Sequence, residues 1–170
     1  ISKLGNVGGA DGFTLDKDEF SRVLGTDFTL NSNPLGGNIE IDGLAFLDLL
    51  GIIGEKFIFA NNAEATVTLS GTDVELEDAD IQAAGDISVD VNLTTTGTTA
   101  LAADSNANGA GELTLATSKT IDSQNTTLTL TANDIVLDGS LNTGTGALNL
   151  LVSDGGTIGL GDADKDYDLS

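Results

Sequence analysis

Short runs with a period of two, most of them alternating apolar with polar residues, recur along this chain, and they constrain its fold more than any other feature. They are Phe57-Ile58-Phe59, Ala65-Thr66-Val67-Thr68-Leu69, Val74-Glu75-Leu76, Ile87-Ser88-Val89-Asp90-Val91, Leu113-Thr114-Leu115, Thr127-Leu128-Thr129-Leu130 and Leu148-Asn149-Leu150. A period of two sends one set of side chains inward and the other toward water, as in a β-strand. Gly, Asn, Asp, Ser and Thr fill the gaps, and Pro occurs once, at Pro34, which is strand-and-turn punctuation.

The spacing of the runs narrows the architecture. Thr66 to Ser88 is 22 positions and Thr129 to Asn149 is 20. One turn of a parallel β-helix needs a coil of that length, with successive strands about 4.8 Å apart. A β-sandwich would place turn signals about every 8 to 12 residues around an aromatic core. Here aromatics are 4% and Trp is absent, which suits a narrow aliphatic interior. The expected fold is all-β, a right-handed parallel β-helix (β-solenoid) with roughly 20–22 residues per coil and about seven or eight coils. The 170 residues form a single domain in this reading, and their 39% hydrophobic content suffices to line one continuous core. The longest apolar stretch, Gly43 to Gly54, contains Asp48 and is too short to span a membrane. It reads as a core element, helix or strand.

Charge removes several classes of partner. Acidic residues number 27 against 6 basic ones, for a net charge of −21. Nucleic acid and anionic membrane surfaces need clustered Lys and Arg, so neither is expected. Such a surface attracts cations and keeps long assemblies apart. Cys, His and Met are all absent, which leaves no disulfide framework and no thiolate or imidazole metal site. With no signal-like segment, the chain is expected to be an internal or processed piece of something larger.

The two ends resemble each other. Residues 1–16 read ISKLGNVGGADGFTLD and residues 155–170 read GGTIGLGDADKDYDLS. At an offset of 154, Leu4 falls on Ile158, Gly5 on Gly159, Phe13 on Tyr167 and Leu15 on Leu169. Aromatic, polar, aliphatic in one register is what a tandem array produces, with the chain holding one repeat unit of about 154 residues plus an overlap.

Leu128-Thr129-Leu130-Thr131-Ala132-Asn133-Asp134-Ile135, Gly139-Ser140-Leu141-Asn142-Thr143-Gly144, Leu148-Asn149-Leu150 and Thr157-Ile158-Gly159-Leu160-Gly161 together resemble the long repeats of filamentous-haemagglutinin-type adhesins. These are large bacterial surface proteins built on parallel β-helices. Leu15 to Val23 followed by Thr26-Asp27-Phe28-Thr29-Leu30 resembles the linker of that repeat type, so the likeness spans most of the chain. The resemblance implies secretion, a cell-surface location, and an adhesive or matrix role with host or matrix polysaccharide as a partner.

The sharpest local motif is Asp162-Ala163-Asp164-Lys165-Asp166-Tyr167-Asp168. Ca²⁺ takes several oxygen ligands, and a loop with the spacing of Asp162, Asp164, Asp166 and Asp168 can converge three of these carboxylates on one ion. Asp11, Asp16, Asp18 or Glu19 of a neighbouring unit would complete the shell. The competing reading is a solvated acidic loop. A second acidic group, Asp73, Glu75, Glu77, Asp78 and Asp80, reads as a strand edge and turn. Thr94-Thr95-Thr96 and Thr127-Leu128-Thr129 suggest a flat threonine ladder for ice or carbohydrate, although Ser88, Asp90 and Asn149 interrupt it.

No catalytic or cofactor-binding residues are assigned, and no cofactor is required. Serine chemistry lacks a His base, one Arg and scattered Lys offer little for proton abstraction, and no nucleotide fingerprint appears. The expectation is a non-enzymatic structural or adhesive unit that joins copies of itself, or adjacent repeats, head to tail. The alternative is a β-helix polysaccharide-active enzyme or carbohydrate-binding module.

Overall fold

Alternating runs become strands here, and each strand bonds in parallel to a run well separated from it in sequence. A computed structural model describes residues 2–5, 13–32, 37–62, 64–155, 158–160 and 167–169. The chain begins with β1 (Ser2–Gly5), β2 (Thr14–Asp16) and the one-turn helix α1 (Lys17–Phe20). Asp16 and Glu19 form a capping box on α1, each carboxylate accepting the other's N–H at 2.8 and 3.1 Å. Next come β3 (Phe28–Asn31), β4 (Ile39–Asp42), a 3-10 turn over Phe46–Leu49 and β5 (Lys56–Ala60).

From there the strands arrive in threes. They are β6 (Val67–Ser70), β7 (Val74–Glu77) and β8 (Ala79–Ala83), then β9 (Ile87–Val89), β10 (Leu93–Thr96) and β11 (Thr99–Ala102). Next are β12 (Glu112–Leu115), β13 (Thr120–Asp122) and β14 (Leu128–Ala132), then β15 (Asp134–Leu137), β16 (Ser140–Asn142) and β17 (Leu148–Val152). The short β18 (Ile158–Leu160) and β19 (Tyr167–Leu169) follow.

The pairing places these strands in three parallel sheets. The first sheet runs β15-β12-β9-β6-β4-β1-β2, the second β16-β13-β10-β7 and the third β17-β14-β11-β8-β5-β3, with β18 and β19 as a separate parallel pair. From β6 to β17 the chain visits first, second and third sheet in unbroken rotation. The Phe46–Leu49 turn occupies the second sheet's place between β4 and β5, where Leu44 O accepts the Glu75 N–H at 2.7 Å.

Register follows the inward residues. In the first sheet Val67, Ile87, Leu113 and Ile135 stack, and so do Leu69, Val89 and Leu115, all at 0–1% exposure. In the third, Ile58, Ile81, Leu101 and Leu130 stack beside Ala60, Ala83, Ala103 and Ala132. The alanines lie at the ends of β5, β8 and β14 and just past the end of β11, where the chain turns from third sheet to first, and all are at 0% exposure. A slip of one residue would turn every inward aliphatic out to water, so the alternation pins the pairing.

Thr129 pairs with Asn149, as the spacing predicts, but Ser88 pairs with Thr68 and not Thr66. The step between stacked strands is 20 residues from Val67 to Ile87 and 22 from Leu113 to Ile135. It stretches to 28 from Ile39 to Val67 and 29 from Thr99 to Leu128, so 20–22 holds for only some circuits. Corners absorb the extra residues because the strands cannot shift register without exposing the core. One such insertion is the loop from Ala103 to Gly111, between β11 and β12.

The apolar 43–54 stretch forms neither a long helix nor a strand. Leu44, Leu49 and Ile52 are buried while Leu47, Leu50 and Ile53 are 75, 71 and 78% exposed. Ile52 bridges Gly25 in parallel. Beside it, Phe20 of α1 is buried with its ring 4.8 Å from Phe28, tilted 60°, a favourable aromatic geometry. No described helix is long and apolar enough to cross a membrane.

Candidate functional site

The proposed Ca²⁺ ligands Asp162, Asp164 and Asp166 lie outside the described residues, as does Asp11. Asp168 falls within β19. Among the described residues no group of three or more Asp or Glu side chains could hold a metal ion.

Asp27, Asp42, Asp73, Glu75, Asp78 and Asp86 accept from backbone N–H groups of a neighbouring circuit, and the amide oxygen of Asn125 does the same. Asp42 Oδ1 accepts from the Thr72 N–H at 3.0 Å, Asp78 Oδ1 from Thr98 at 3.0 Å and Asn125 Oδ1 from Thr145 at 3.1 Å. Each of those threonines follows a glycine with positive φ, namely Gly71 (72°), Gly97 (72°) and Gly144 (55°). At Gly97 a Cβ would stand 2.0 Å from Asp78 Oδ1, so only glycine admits the carboxylate to this corner. This Asx-to-Gly-Thr device is spread over 20 to 30 residues, which hid it from local motif reading.

The acidic group around β7 separates into individual structural roles. Asp73 accepts from the backbone and side-chain N–H groups of Asn92, both at 3.1 Å. Those two bonds, side chain first, hold its carboxyl below the ordinary carboxylate value, with a smaller pull from Lys119. Asn92 Oδ1 in turn accepts from the Thr120 N–H at 3.1 Å, so the ladder crosses three strands of the second sheet's edge. Glu75 Oε2 accepts from the Phe46 N–H at 3.1 Å. Glu77 lies 3.9 Å from the ammonium of Lys56, a residue 1% exposed that also donates to Gly54 O at 2.7 Å. Asp80 accepts from Gln82 at 3.1 and 3.2 Å.

Two features escaped the sequence reading. Asp104, 1% exposed with φ 52°, accepts from the Asn108 and Gly109 N–H groups at 2.8 and 3.1 Å and from the Ser153 hydroxyl at 2.5 Å. It organises its own loop and ties that loop to the end of β17. On the outer face of the third sheet, Phe57 and Phe59 form a half-buried pair with centroids 5.8 Å apart, opposite Asp80 and Gln82 of β8. A shallow groove of about 200 Å³ beside them is lined by Glu55, Asp78, Ala79, Asp80, Thr98 and Ala100.

The suggested threonine ladder does not form as a flat outer face, because Thr95 points inward at 0% exposure. Thr129 does stand outward beside Asn149, whose amide donates to its hydroxyl at 3.2 Å.

At the far end of the three sheets the inward residues lose part of their cover. Ile121, Leu130 and Ala132 are at 0% exposure, yet their stacked successors Leu141, Leu150 and Val152 are only partly buried. Leu148, the successor of the fully buried Leu128, is 42% exposed, and Leu151, which succeeds the outward Thr131, is 48% exposed. The apolar interior is therefore only partly covered along the second and third sheets of its last circuit, while Ile135 in the first sheet remains 1% exposed. No family model, curated protein or solved structure matches this chain.

Proposed function

We propose that the chain is a right-handed parallel β-solenoid unit of an extracellular structural or adhesive shaft, joining head to tail or in tandem into a surface fibre or stalk. The partly covered last circuit carries this reading: Leu141, Leu150 and Val152 continue inward columns whose other members are fully buried. An apolar column left open needs a cap or another unit. The rotation through three parallel sheets supports the solenoid, and parallel crossovers within a sheet are right-handed in about 98% of cases. A head-to-tail contact between such ends does not close, which yields filaments. Net charge of −21 would keep neighbouring shafts from sticking side by side.

The role is mechanical and spatial, with placement at the cell surface or beyond, as in the filamentous-haemagglutinin-type adhesins the sequence resembles. Ca²⁺ held by Asp162, Asp164, Asp166 and Asp168 would bridge acidic surfaces. Electron microscopy of the protein with and without chelator tests both parts. Unbranched fibres support the shaft, and fraying in chelator supports the ion. Discrete, non-associating particles at all concentrations would refute the shaft.

A second reading, carbohydrate binding, is favoured by Phe57 and Phe59. Aromatic rings can stack on the C–H face of a sugar while neighbours such as Asp80 and Gln82 bond its hydroxyls. Calorimetry with polysaccharides, repeated on Phe57→Ala, decides it; equal heats from both proteins would discard this site.

A further inference from the structure

A parallel strand pair lies at each end of the first sheet, β1 and β2 within it at one end and the separate pair β18 and β19 beside β15 at the other. At one end β1 pairs with β4, Leu4 opposite Ile41, and β2 lies outside β1, Leu4 opposite Leu15. At the other end β19 lies against β15, and β18 pairs with β19. The offset of 154 carries Leu4 and Gly5 of β1 onto Ile158 and Gly159 of β18, and Leu15 of β2 onto Leu169 of β19. The pairs are alike, but they meet the body of the sheet through opposite members. The counterpart of β2 meets β15, whereas β1 meets β4.

That opposition is what a continuous ladder requires. Laying β1 and β2 of a second unit onto β18 and β19 of the first gives the order β12, β15, second-unit β2, second-unit β1, second-unit β4. Every strand then has a neighbour on both edges. The registers within the pairs differ by two, since Leu4 faces Leu15 but Ile158 faces Tyr167, the counterpart of Phe13. A slip of two preserves which face each side chain takes, whereas a slip of one would not.

We propose that β18 and β19 occupy the seat of β1 and β2 of a second copy of this unit, so that units join through an uninterrupted first sheet with a period of 154 residues. This rests on the solenoid reading above. The first sheet contributes seven strands per unit, which at about 4.8 Å each makes an axial repeat of about 34 Å. The junction also covers Leu141 and Leu150, whose columns lack a next member within one unit.

A two-unit chain in which Ser170 is followed directly by Lys17 of a second copy tests the proposal, because residues 155–170 then serve as the second unit's residues 1–16. The comparator joins two complete copies through a long Gly/Ser linker. Hydrogen exchange at Leu141 and Leu150 of the first copy should slow at least tenfold in the in-register chain relative to the comparator. Leu150→Ala in that copy should lower the unfolding midpoint at least twice as far in-register as linker-joined. Equal exchange and equal losses in both chains would overturn the proposal.

The single chain provides an independent check should the two-unit chain fail to fold. Asp168→Pro disrupts the β18–β19 pair that packs beside β15, and it should speed amide exchange in β15 while leaving β4 unchanged; unchanged β15 exchange would also overturn the junction. X-ray scattering from the single chain separates the two failures. A single chain lacking the length of seven stacked strands sinks the solenoid reading itself, whereas a correct length with no added protection sinks only the junction.

Discussion

Thr95 and Thr99 flank the corner between β10 and β11 with their hydroxyls inside the core. Both residues are at 0% exposure, and neither Oγ1 has a hydrogen-bond partner. Burying a hydroxyl without a partner costs about 1–3 kcal/mol on protein mutational scales. Valine has nearly the same shape and equal or better strand preference, so Thr95→Val and Thr99→Val remove that cost without opening a cavity. Each is expected to stabilise the protein by about 1 kcal/mol, the low end of that range, because replacement of the oxygen by methyl also disturbs tight packing. For a domain of this size that is a rise in melting temperature of about 2–4 °C. Urea unfolding followed by circular dichroism reads it, with an unchanged slope showing that the denatured state is not responsible. Thr94→Val, on the outward face of the same strand, is the control and should move stability by less than about 0.5 kcal/mol. If both inward variants are neutral or destabilised while the control is unchanged, the hydroxyls have partners and the reasoning fails.

Three further outcomes follow from the corners and the buried acid. Gly97→Ala should destabilise by about 2 kcal/mol or more, since left-handed φ alone costs about 1–2 kcal/mol and the new Cβ meets Asp78; its melting temperature against Gly155→Ala, where φ is 81° and the space is open, isolates the clash. Asp104→Ala should cost about 2–3 kcal/mol by orphaning the Gly109 N–H and the Ser153 hydroxyl and leaving the Asn108 N–H only its 3.2 Å bond to Asn106 Oδ1, with hydrogen exchange accelerating most at Gly109, while Asp104→Asn retains part of the loss. Asp73 has a lowered folded-state pKa, so its contribution is present above the unfolded value near 3.9 and is lost as pH falls through the folded value. An NMR titration should find its midpoint below that of free aspartate and see it climb in Asn92→Ala; coincident midpoints would refute the assignment.

Much of the fold was legible because its main signal is local. Alternation such as Ile87-Ser88-Val89 states which side chains face inward whatever the strand pairs with, and the burial of Ile87 and Val89 follows from it. The partner was readable where no corner is enlarged: Thr129 and Asn149 pair because exactly 20 residues make one uninterrupted circuit there. It was misread at Thr66 because a two-residue change in corner length leaves the alternation intact. The same blindness concealed the 29-residue step after Thr99, since an inserted loop changes the partner without altering the strand.

The sequence by itself determined the strands, their inward faces and the likeness of the two ends, since each depends only on residue order along the chain. Tertiary structure alone decided which polar side chains lie inside, as with Thr95, Thr99, Lys56 and Asp104, because burial is set by the strands stacked above and below. It also decided that Asp42, Asp78 and Asn125 serve Gly-Thr corners of another circuit. A hydrogen bond across 20 or 30 residues exists only once the sheets have brought its ends together, and no local pattern records it.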